Sequence, residues 1–397
     1  MAFTDEEEKK IDELLSRGIE RVYPSKEEAK KILLSGKKIR VYLGIDPTGK
    51  EIHIGHSVVL LFLKRLYEAG HIPIVLMGDF TARIGDPTDK DAARKQLTAE
   101  QVRKNMATYW DQISKILDTD KVEKRHNAEW YEKMDLDNFI RLASEETVQQ
   151  MLARDMFQKR MKNKKPIGVH EFLYPIMQGY DSVALDVDGE VGGKDQTFNM
   201  LVGRDFLKNH KKREKLVFAT KLLEDPVSGK KMSKTEGNLV SFNDLPNEMF
   251  GKVMSFPDEM ILAIFECATE VPMEHIQEIK KGMNEGENPK DYKLELAAEL
   301  VRMYHGEKEA KKAREEFERV FSQKKLPEDI GEYKLKGNTD LVDVMVDSGL
   351  AKSKSEAKRL IGQGAVAING SVEKKWDREI NPGDVMKVGV RRYIRIS

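Results

Sequence analysis

Two patterns of apolar and polar positions run along this chain: short, mainly apolar runs, and longer stretches in which apolar residues return every three or four positions. Ile39 to Ile45 and Ile72 to Met77 are runs of the first kind, each followed by polar turn residues, Asp46-Pro47-Thr48-Gly49 and Gly78-Asp79. Such runs mark parallel strands buried on both faces. Between them Val58, Val59, Leu61, Phe62 and Leu66 recur at helical spacing, so residues 39–77 predict a strand–helix–strand unit whose first member is the first strand of the chain. Upstream, Thr4 with Glu7 and Ser25 with Glu28 have capping-box spacing and predict two short helices.

Residues 97–165 read as charged helices, and Met151 to Phe157 carries an apolar stripe suited to a core or to a partner-facing surface. Tyr174 to Asp181 predicts a helix starting at Pro175, with Tyr174, Gln178 and Asp181 on neighbouring turns. A strand at Ala184 to Val187 follows, and Gly192-Gly193-Lys194-Asp195-Gln196 opens the next helix. From about 243 to 325 the pattern is helical, and a polar link near 334–339 leads to a last small unit. That unit has a capping box at Ser353 and Glu356, a helix ending near Gly364, a strand at Ala365 to Ile368 and a hairpin at Asn369-Gly370. A turn at Pro382-Gly383-Asp384 then leads into Val385 to Val388, and the closing run is Arg391 to Ile396.

These elements predict an α/β protein: a Rossmann-like parallel-sheet domain over 1–225 with an insertion near 120–170, a helical domain over 226–333, and a small α+β domain over 338–397. In open parallel sheets ligands bind at the carboxyl ends of the strands. Asp46, His53, His56 and the segment Arg83 to Thr88 all fall there.

Composition refines this picture. The net charge is zero, yet residues 341–397 hold 11 Lys plus Arg against 7 Asp plus Glu, which leaves that tail at +4 and the remainder at −4. The basic end suits a polyanionic partner. One cysteine, Cys267, excludes an internal disulfide framework or a thiolate metal cluster and suits a reducing cytosol. The longest apolar stretch, Val58 to Leu63, is too short to span a bilayer. A cytoplasmic protein with no membrane contact is expected.

The chemistry is carried by two clusters about 175 residues apart, His53-Ile54-Gly55-His56 and Lys231-Met232-Ser233-Lys234-Thr235. The first opens a helix, where free N–H groups and the positive end of the dipole favour an anion. Two imidazoles three residues apart can donate to phosphoryl oxygens, and Gly55 leaves room for a base or phosphate to approach the backbone. The second cluster supplies lysine charge. Together they point to activation of a carboxylate by ATP.

With these clusters, Tyr42-Leu43-Gly44-Ile45-Asp46-Pro47-Thr48, Ile84-Gly85-Asp86-Pro87, Tyr174 to Asp181 and Gly193-Lys194-Asp195-Gln196 stand in an order that resembles the class I aminoacyl-tRNA synthetases, and within them the bacterial-type tyrosyl-tRNA synthetases. The resemblance covers nearly the whole chain. The tail from Leu341 to Ile396, through Gly349-Leu350, Ser355-Glu356-Ala357, Gly364, Asn369-Gly370 and Pro382-Gly383-Asp384, is similar to the RNA-binding domain named for a small-subunit ribosomal protein.

The resemblance implies that His53, His56, Thr48, Lys231 and Lys234 act on ATP and its pyrophosphate, with Mg²⁺ carried on the nucleotide and no prosthetic group or protein-held metal. It implies nucleotide contacts from Gly44, Asp46, Gly55, Met232, Ser233, Lys90 and Arg94, and ribose contacts from Gly193, Asp195 and Gln196. Tyr42 and Asp181 are implied to bond the tyrosine hydroxyl, and Asp86, Tyr174 and Gln178 the amino group. Lys358, Arg359, Arg391 and Arg392 are the candidates for tRNA contact. The implied partners are L-tyrosine, tRNA(Tyr) and a second copy of the chain, bound through the 120–170 insertion. The flanks Ser228-Gly229 and Glu236-Gly237-Asn238 imply a mobile lysine loop. Leu43 and Val59 are apolar where some family members carry small polar or thiol groups. The tryptophanyl enzymes share both clusters. An adenylyl or cytidylyl transferase and an RNA-binding protein with an inactive site are the readings from other classes.

Overall fold

The computed structural model describes residues 4–88, 96–224, 239–322, 331–335, 339–389 and 392–397. The chain forms two compact units, Met1–Ala310 and Lys311–Ser397.

The first unit is built on a six-stranded sheet of β1 (Ile19–Tyr23), β2 (Arg40–Ile45), β3 (Ile72–Met77), β4 (Glu123–His126), β5 (Gly189–Gly193) and β6 (Leu216–Thr220). The spatial order is β1-β6-β5-β2-β3-β4, parallel throughout except for β1. The expected strand–helix–strand unit is β2, the helix Ile54–Glu68 and β3, with Arg40 paired to Ile72 and Ile45 to Met77. The order reverses between β2 and β5, and there Tyr42 lies opposite Glu190. That reversal is the topological switch point, where a crevice opens at the carboxyl ends of the strands.

Successive strand residues point to opposite faces. Tyr42, Ile74 and Leu76 share one face with Leu185 and Val187 at the end of the helix Val169–Leu185. On the other face Phe218 meets Phe62 of the Ile54–Glu68 helix, with ring centroids 4.9 Å apart. The stripe at 151–157 is core: Met151 and Phe157 are buried.

Four local expectations are corrected. The chain has a strand before residue 39, β1, which pairs antiparallel with β6. The segment 97–165 is not wholly helical, because β4 extends the sheet next to β3. The helix expected to start at Pro175 starts six residues earlier, at Val169, with Pro175 inside it. Glu171 stabilises that start: its carboxylate accepts from the Gly168 N–H at 2.7 Å and pairs with the buried Arg160. Ala184 and Leu185 continue this helix, which stops at Asp186 in the left-handed conformation (φ 52°), so the strand lies at 189–193 and not at 184–187. Gly192 and Gly193 therefore end a strand, and a 3₁₀ turn over Lys194–Gln196 leads into the helix Thr197–Lys211.

The helices from Pro246 to His305 belong to this same unit. Residues 240–242 run beside the start of the histidine helix: Ile54 N–H donates to Val240 O at 3.0 Å and Phe242 N–H to Ile52 O at 3.0 Å. Ser57, buried one residue past His56, shares a 2.6 Å hydroxyl bond with Tyr304.

The second unit has the sheet order β7-β11-β10-β8-β9, from β7 (Gly331–Tyr333), β8 (Val366–Ile368), β9 (Ser371–Val372), β10 (Val385–Val388) and β11 (Arg392–Ile396). Asn369 (φ 52°) and Gly370 (φ 85°) make the turn between β8 and β9, both in the left-handed region that this hairpin type requires. Helices Leu341–Asp347 and Lys354–Gly362 contribute Leu341, Val344, Met345 and Ile361 to its core, facing Val366, Met386, Val388 and Ile396.

Candidate active site

A cavity of about 630 Å³ opens at the switch point. It is lined by Tyr42, Gly44, Asp46, Thr48, His53, Gly55, His56, Asp86, Tyr174, Gln178, Asp181, Gly193, Asp195 and Gln196. All of these are sequence candidates, drawn from four separate stretches of chain. Lys90, Arg94, Lys231, Met232, Ser233 and Lys234 lie outside the described residues.

At the rim, His53 is the N-cap of the Ile54–Glu68 helix and its Nδ1 accepts from the Gly55 N–H at 3.2 Å. That bond leaves the proton of a neutral His53 on Nε2. The His53 N–H in turn donates to His56 Nδ1 at 3.3 Å, and the two rings stand 4.1 Å apart, edge to face. Burial pulls the His56 pKa below its usual value, which favours a neutral imidazole. Gly55 has a more specific reason than room for a ligand: a Cβ there would sit 2.9 Å from Cε1 and Nδ1 of the His53 ring. The glycine makes the imidazole cap possible.

Deeper in the cavity, Asp181 is 3% exposed although helical spacing alone permits a surface position. Its carboxylate accepts from Trp130 Nε1 at 3.0 Å and Asn127 Nδ2 at 3.4 Å. Desolvation raises its pKa well above the usual carboxylate range, and hydrogen bonds from Tyr131, Asn127 and Trp130 oppose the rise. Tyr42 is fully buried, with its hydroxyl 3.1 Å from Ser182 Oγ and 3.4 Å from the Gln178 carbonyl. Burial lifts its pKa well above the ordinary phenol value, so it stays protonated at neutral pH.

Two hydrogen-bonded networks line the rest of the cavity. Tyr174 donates its hydroxyl to Asp46 Oδ2 at 2.8 Å, and Thr81 donates to Asp46 Oδ1 at 2.8 Å. Gln196 Nε2 donates to Asp86 Oδ2 at 2.8 Å, which ties a residue expected at the ribose to one expected at the amino group. Asn199 Nδ2 donates to both Gln196 Oε1 and Gln178 Oε1 at 3.0 Å, and Gln178 Nε2 to Glu190 Oε1 at 3.0 Å.

Sequence reasoning missed Thr81, Asn127, Trp130, Ser182, Glu190, Asn199 and Lys215. All but Asn199, which bonds to Gln196 three residues before it, are polar residues whose partners are far away in the chain, so no local spacing marks them. Glu190 was the most legible, a carboxylate inside a short strand just before a glycine pair. Gly78 was missed as well. A Cβ at Gly78 would fall 1.9 Å from Asp46 Oδ1 and 2.6 Å from Thr81 Oγ1. Gly78→Ala is therefore expected to evict the Asp46 carboxylate from Thr81 and Tyr174 and to destabilise the protein by about 1–3 kcal/mol. Thermal unfolding of the variant checks this, and an unchanged midpoint would contradict it.

Of the candidates in the second unit, Lys358 and Arg359 are exposed on the helix Lys354–Gly362, with the Lys358 ammonium 5.2 Å from the centre of the Trp376 ring. Arg392 Nη1 donates to the Leu350 carbonyl at 2.6 Å, so part of its guanidinium holds the module together. Arg391 lies outside the described residues.

Residues 34–322 match the family model described as tRNA synthetases class I (W and Y), which leaves tyrosine and tryptophan open. Residues 321–391 match a second, described as the Tyrosine--tRNA ligase SYY-like C-terminal domain. The chain belongs to the tyrosine branch of the class I tRNA synthetases. This synthetase is 45% identical to a tyrosine–tRNA ligase of Carboxydothermus hydrogenoformans, with 97% of each chain covered, and 43% identical to one of Thermotoga maritima, covering 99% of this chain and 98% of that one. Its fold is similar to that of a C-terminally truncated mitochondrial tyrosyl-tRNA synthetase of Aspergillus nidulans (TM-score 0.66, 23% identity, 79% of this chain and 94% of that one). It is also similar to a tyrosyl-tRNA synthetase of Archaeoglobus fulgidus complexed with L-tyrosine (TM-score 0.61, 23% identity, 78% and 99%). The α/β class with a parallel sheet, expected from the sequence, is the fold this synthetase has.

Proposed function

We propose that this synthetase joins L-tyrosine to ATP, releasing pyrophosphate, and passes the tyrosyl group of the resulting adenylate to the 3′ ribose of tRNA(Tyr). The observation that carries the substrate choice is the floor of the cavity. There a buried carboxylate, Asp181, and a buried phenol, Tyr42, can serve the hydroxyl of tyrosine as acceptor and donor. Phenylalanine would seal both from water without offering either a bond, and displacing a polar group's water without replacing its bond is costly. The indole N–H of tryptophan could meet only the acceptor.

A carboxylate is already a nucleophile at neutral pH, so the protein needs to align it and to stabilise charge on the phosphoryl oxygens. In this reading His53 and His56 donate to those oxygens, Thr48 and the backbone at Gly44, Asp46 and Gly55 flank the phosphates, and Gly193, Asp195 and Gln196 meet the ribose. Asp86, Tyr174 and Gln178 receive the amino group. Lys231, Met232, Ser233 and Lys234, with Lys90 and Arg94, contribute from outside the described residues, and Mg²⁺ rides on ATP. Lys358, Arg359, Arg391 and Arg392 meet tRNA phosphates, which predicts salt-dependent affinity.

We also read the insertion as the contact between two copies of the chain. Among the described residues eight large apolar side chains are strongly exposed, and five of them, Leu136, Ile140, Val148, Met161 and Val169, fall within 136–169. No helix among the described residues is long and apolar enough to cross a membrane. We place the enzyme in the cytoplasm, where a single free cysteine stays reduced.

The test is ATP–pyrophosphate exchange with tyrosine, tryptophan and phenylalanine in parallel. Exchange with tyrosine alone is expected. Exchange with tryptophan would move the chain to the sister activity, and none with any of the three would return it to the other transferase or RNA-binding readings.

A further inference from the structure

Behind the wall of the cavity lies a charged pair that a structural core does not need. Lys215 and Glu190 side chains are 0% and 2% exposed and form an ion pair of 2.5 Å. Burying two charges is expensive, and apolar residues of similar volume commonly serve stability as well or better. The pair also has a direction. Glu190 lines the cavity and sits opposite Tyr42 at the switch point, and its second oxygen accepts from Gln178 Nε2. On the other side the Lys215 ammonium donates to Ser182 Oγ at 2.8 Å and stands 5.8 Å from the centre of the Tyr42 ring.

An ammonium can only donate, so Ser182 Oγ accepts from Lys215 and has its own hydrogen to place. Tyr42 Oη is 3.1 Å away, where either hydroxyl can be the donor, and the Lys215 bond, by occupying a Ser182 lone pair, favours Ser182 in that role. With Ser182 as donor, Tyr42 turns its own hydrogen toward the Gln178 carbonyl and the Glu190 carboxylate, and the Gln178 bond, at 3.4 Å, is the longest of the series running from Lys215 through Ser182 and Tyr42. A hydroxyl entering the cavity can capture that hydrogen more readily than any other in the network. Without Lys215, Tyr42 could donate to Ser182 instead and would face the cavity as an acceptor, in competition with Asp181.

We infer that Lys215, Glu190 and Ser182 are positioning residues for amino-acid selection: they fix Tyr42 as donor and Asp181 as acceptor to one phenolic hydroxyl, and they hold Gln178 at the amino end. This inference rests on the reading of the site as a tyrosine site. The experiment measures pyrophosphate exchange of the wild-type protein, Lys215→Met, Glu190→Gln and Ser182→Ala with tyrosine and phenylalanine, together with the KM for ATP. Ser182→Ala is the variant most certain to fold, because alanine suits a helix interior and fills no new volume.

Each variant is expected to raise KM for tyrosine and to narrow the tyrosine-to-phenylalanine ratio of kcat/KM by about tenfold or more, with KM for ATP within about twofold of wild type. A ratio unchanged in Ser182→Ala and in whichever ion-pair variants fold would overturn the inference, even if their thermal midpoints fall. So would an equal rise of both KM values, the mark of a general structural role. Failure of the wild-type protein to exchange with tyrosine would instead overturn the reading of the site.

Discussion

Asp181→Asn should lower kcat/KM for tyrosine in pyrophosphate exchange by about 10²–10³ while leaving KM for ATP within about twofold. The carboxylate accepts from the Trp130 indole and the Asn127 amide, has the Tyr131 hydroxyl beside it, and is nearly buried in the cavity lining. It can present acceptors in every direction. An amide of the same shape has one oxygen and one NH₂, so at least one of three groups, Trp130, Asn127 or the incoming phenol, meets a donor where it needs an acceptor. An unmatched buried donor costs about 1–3 kcal/mol, and a substrate hydroxyl facing an NH₂ loses its bond as well. The measurement is exchange at saturating ATP across a range of tyrosine concentrations, with thermal unfolding to confirm the fold. Unchanged kcat/KM for tyrosine would remove Asp181 from the binding site.

His56→Ala is the second variant with a large expected effect, and it should act on the other kinetic constant. The imidazole stands at the rim of the cavity in the first turn of its helix, neutral through burial, against His53. A donor aimed at the phosphoryl oxygens matters most when negative charge builds up on them. Loss of one such preorganised donor costs about 10²–10³ in rate. The expected result is a fall of that order in kcat for adenylate formation, with KM for tyrosine and ATP changed little. Single-turnover measurement of tyrosyl-adenylate separates the two constants. A raised KM for ATP with kcat intact would mean that His56 serves ground-state binding alone.

How much of this was legible in the sequence depends on where each residue's partner lies. Central strands β2 and β3 announce themselves because both faces are largely buried and, after Arg40, their positions are almost all apolar. Edge strands do not: β4 is Glu123-Lys124-Arg125-His126, four polar residues that no strand pattern would select, and β1 carries Glu20 and Arg21 in its middle. β5 was displaced in the reading because three of its five residues are glycine, while the helix before it supplies the apolar run Val183-Ala184-Leu185. In the site, the residues at motif spacing, His53 with His56 and Tyr174 with Gln178 and Asp181, were visible since a helix turn alone brings them together. Asn127, Trp130, Glu190 and Lys215 act through pairs created by the fold. A lone lysine at the head of an apolar strand, as Lys215 is, reads as an ordinary exposed strand end until its carboxylate is seen.

The backbone bonds between 52–54 and 240–242, with the Ser57–Tyr304 hydroxyl pair, bear on how freely such an enzyme can be rearranged by recombination. They stitch the helical region to the first turn of the histidine helix, the turn on which the chemistry depends. A chain stopping at 224 would expose the Ile54 N–H and the Ile52 carbonyl and leave the Ser57 hydroxyl buried against nothing, at the spot where His53 must cap. The helical region is thus a poor unit of exchange: a foreign one would have to rebuild that seam before the two imidazoles regained their places.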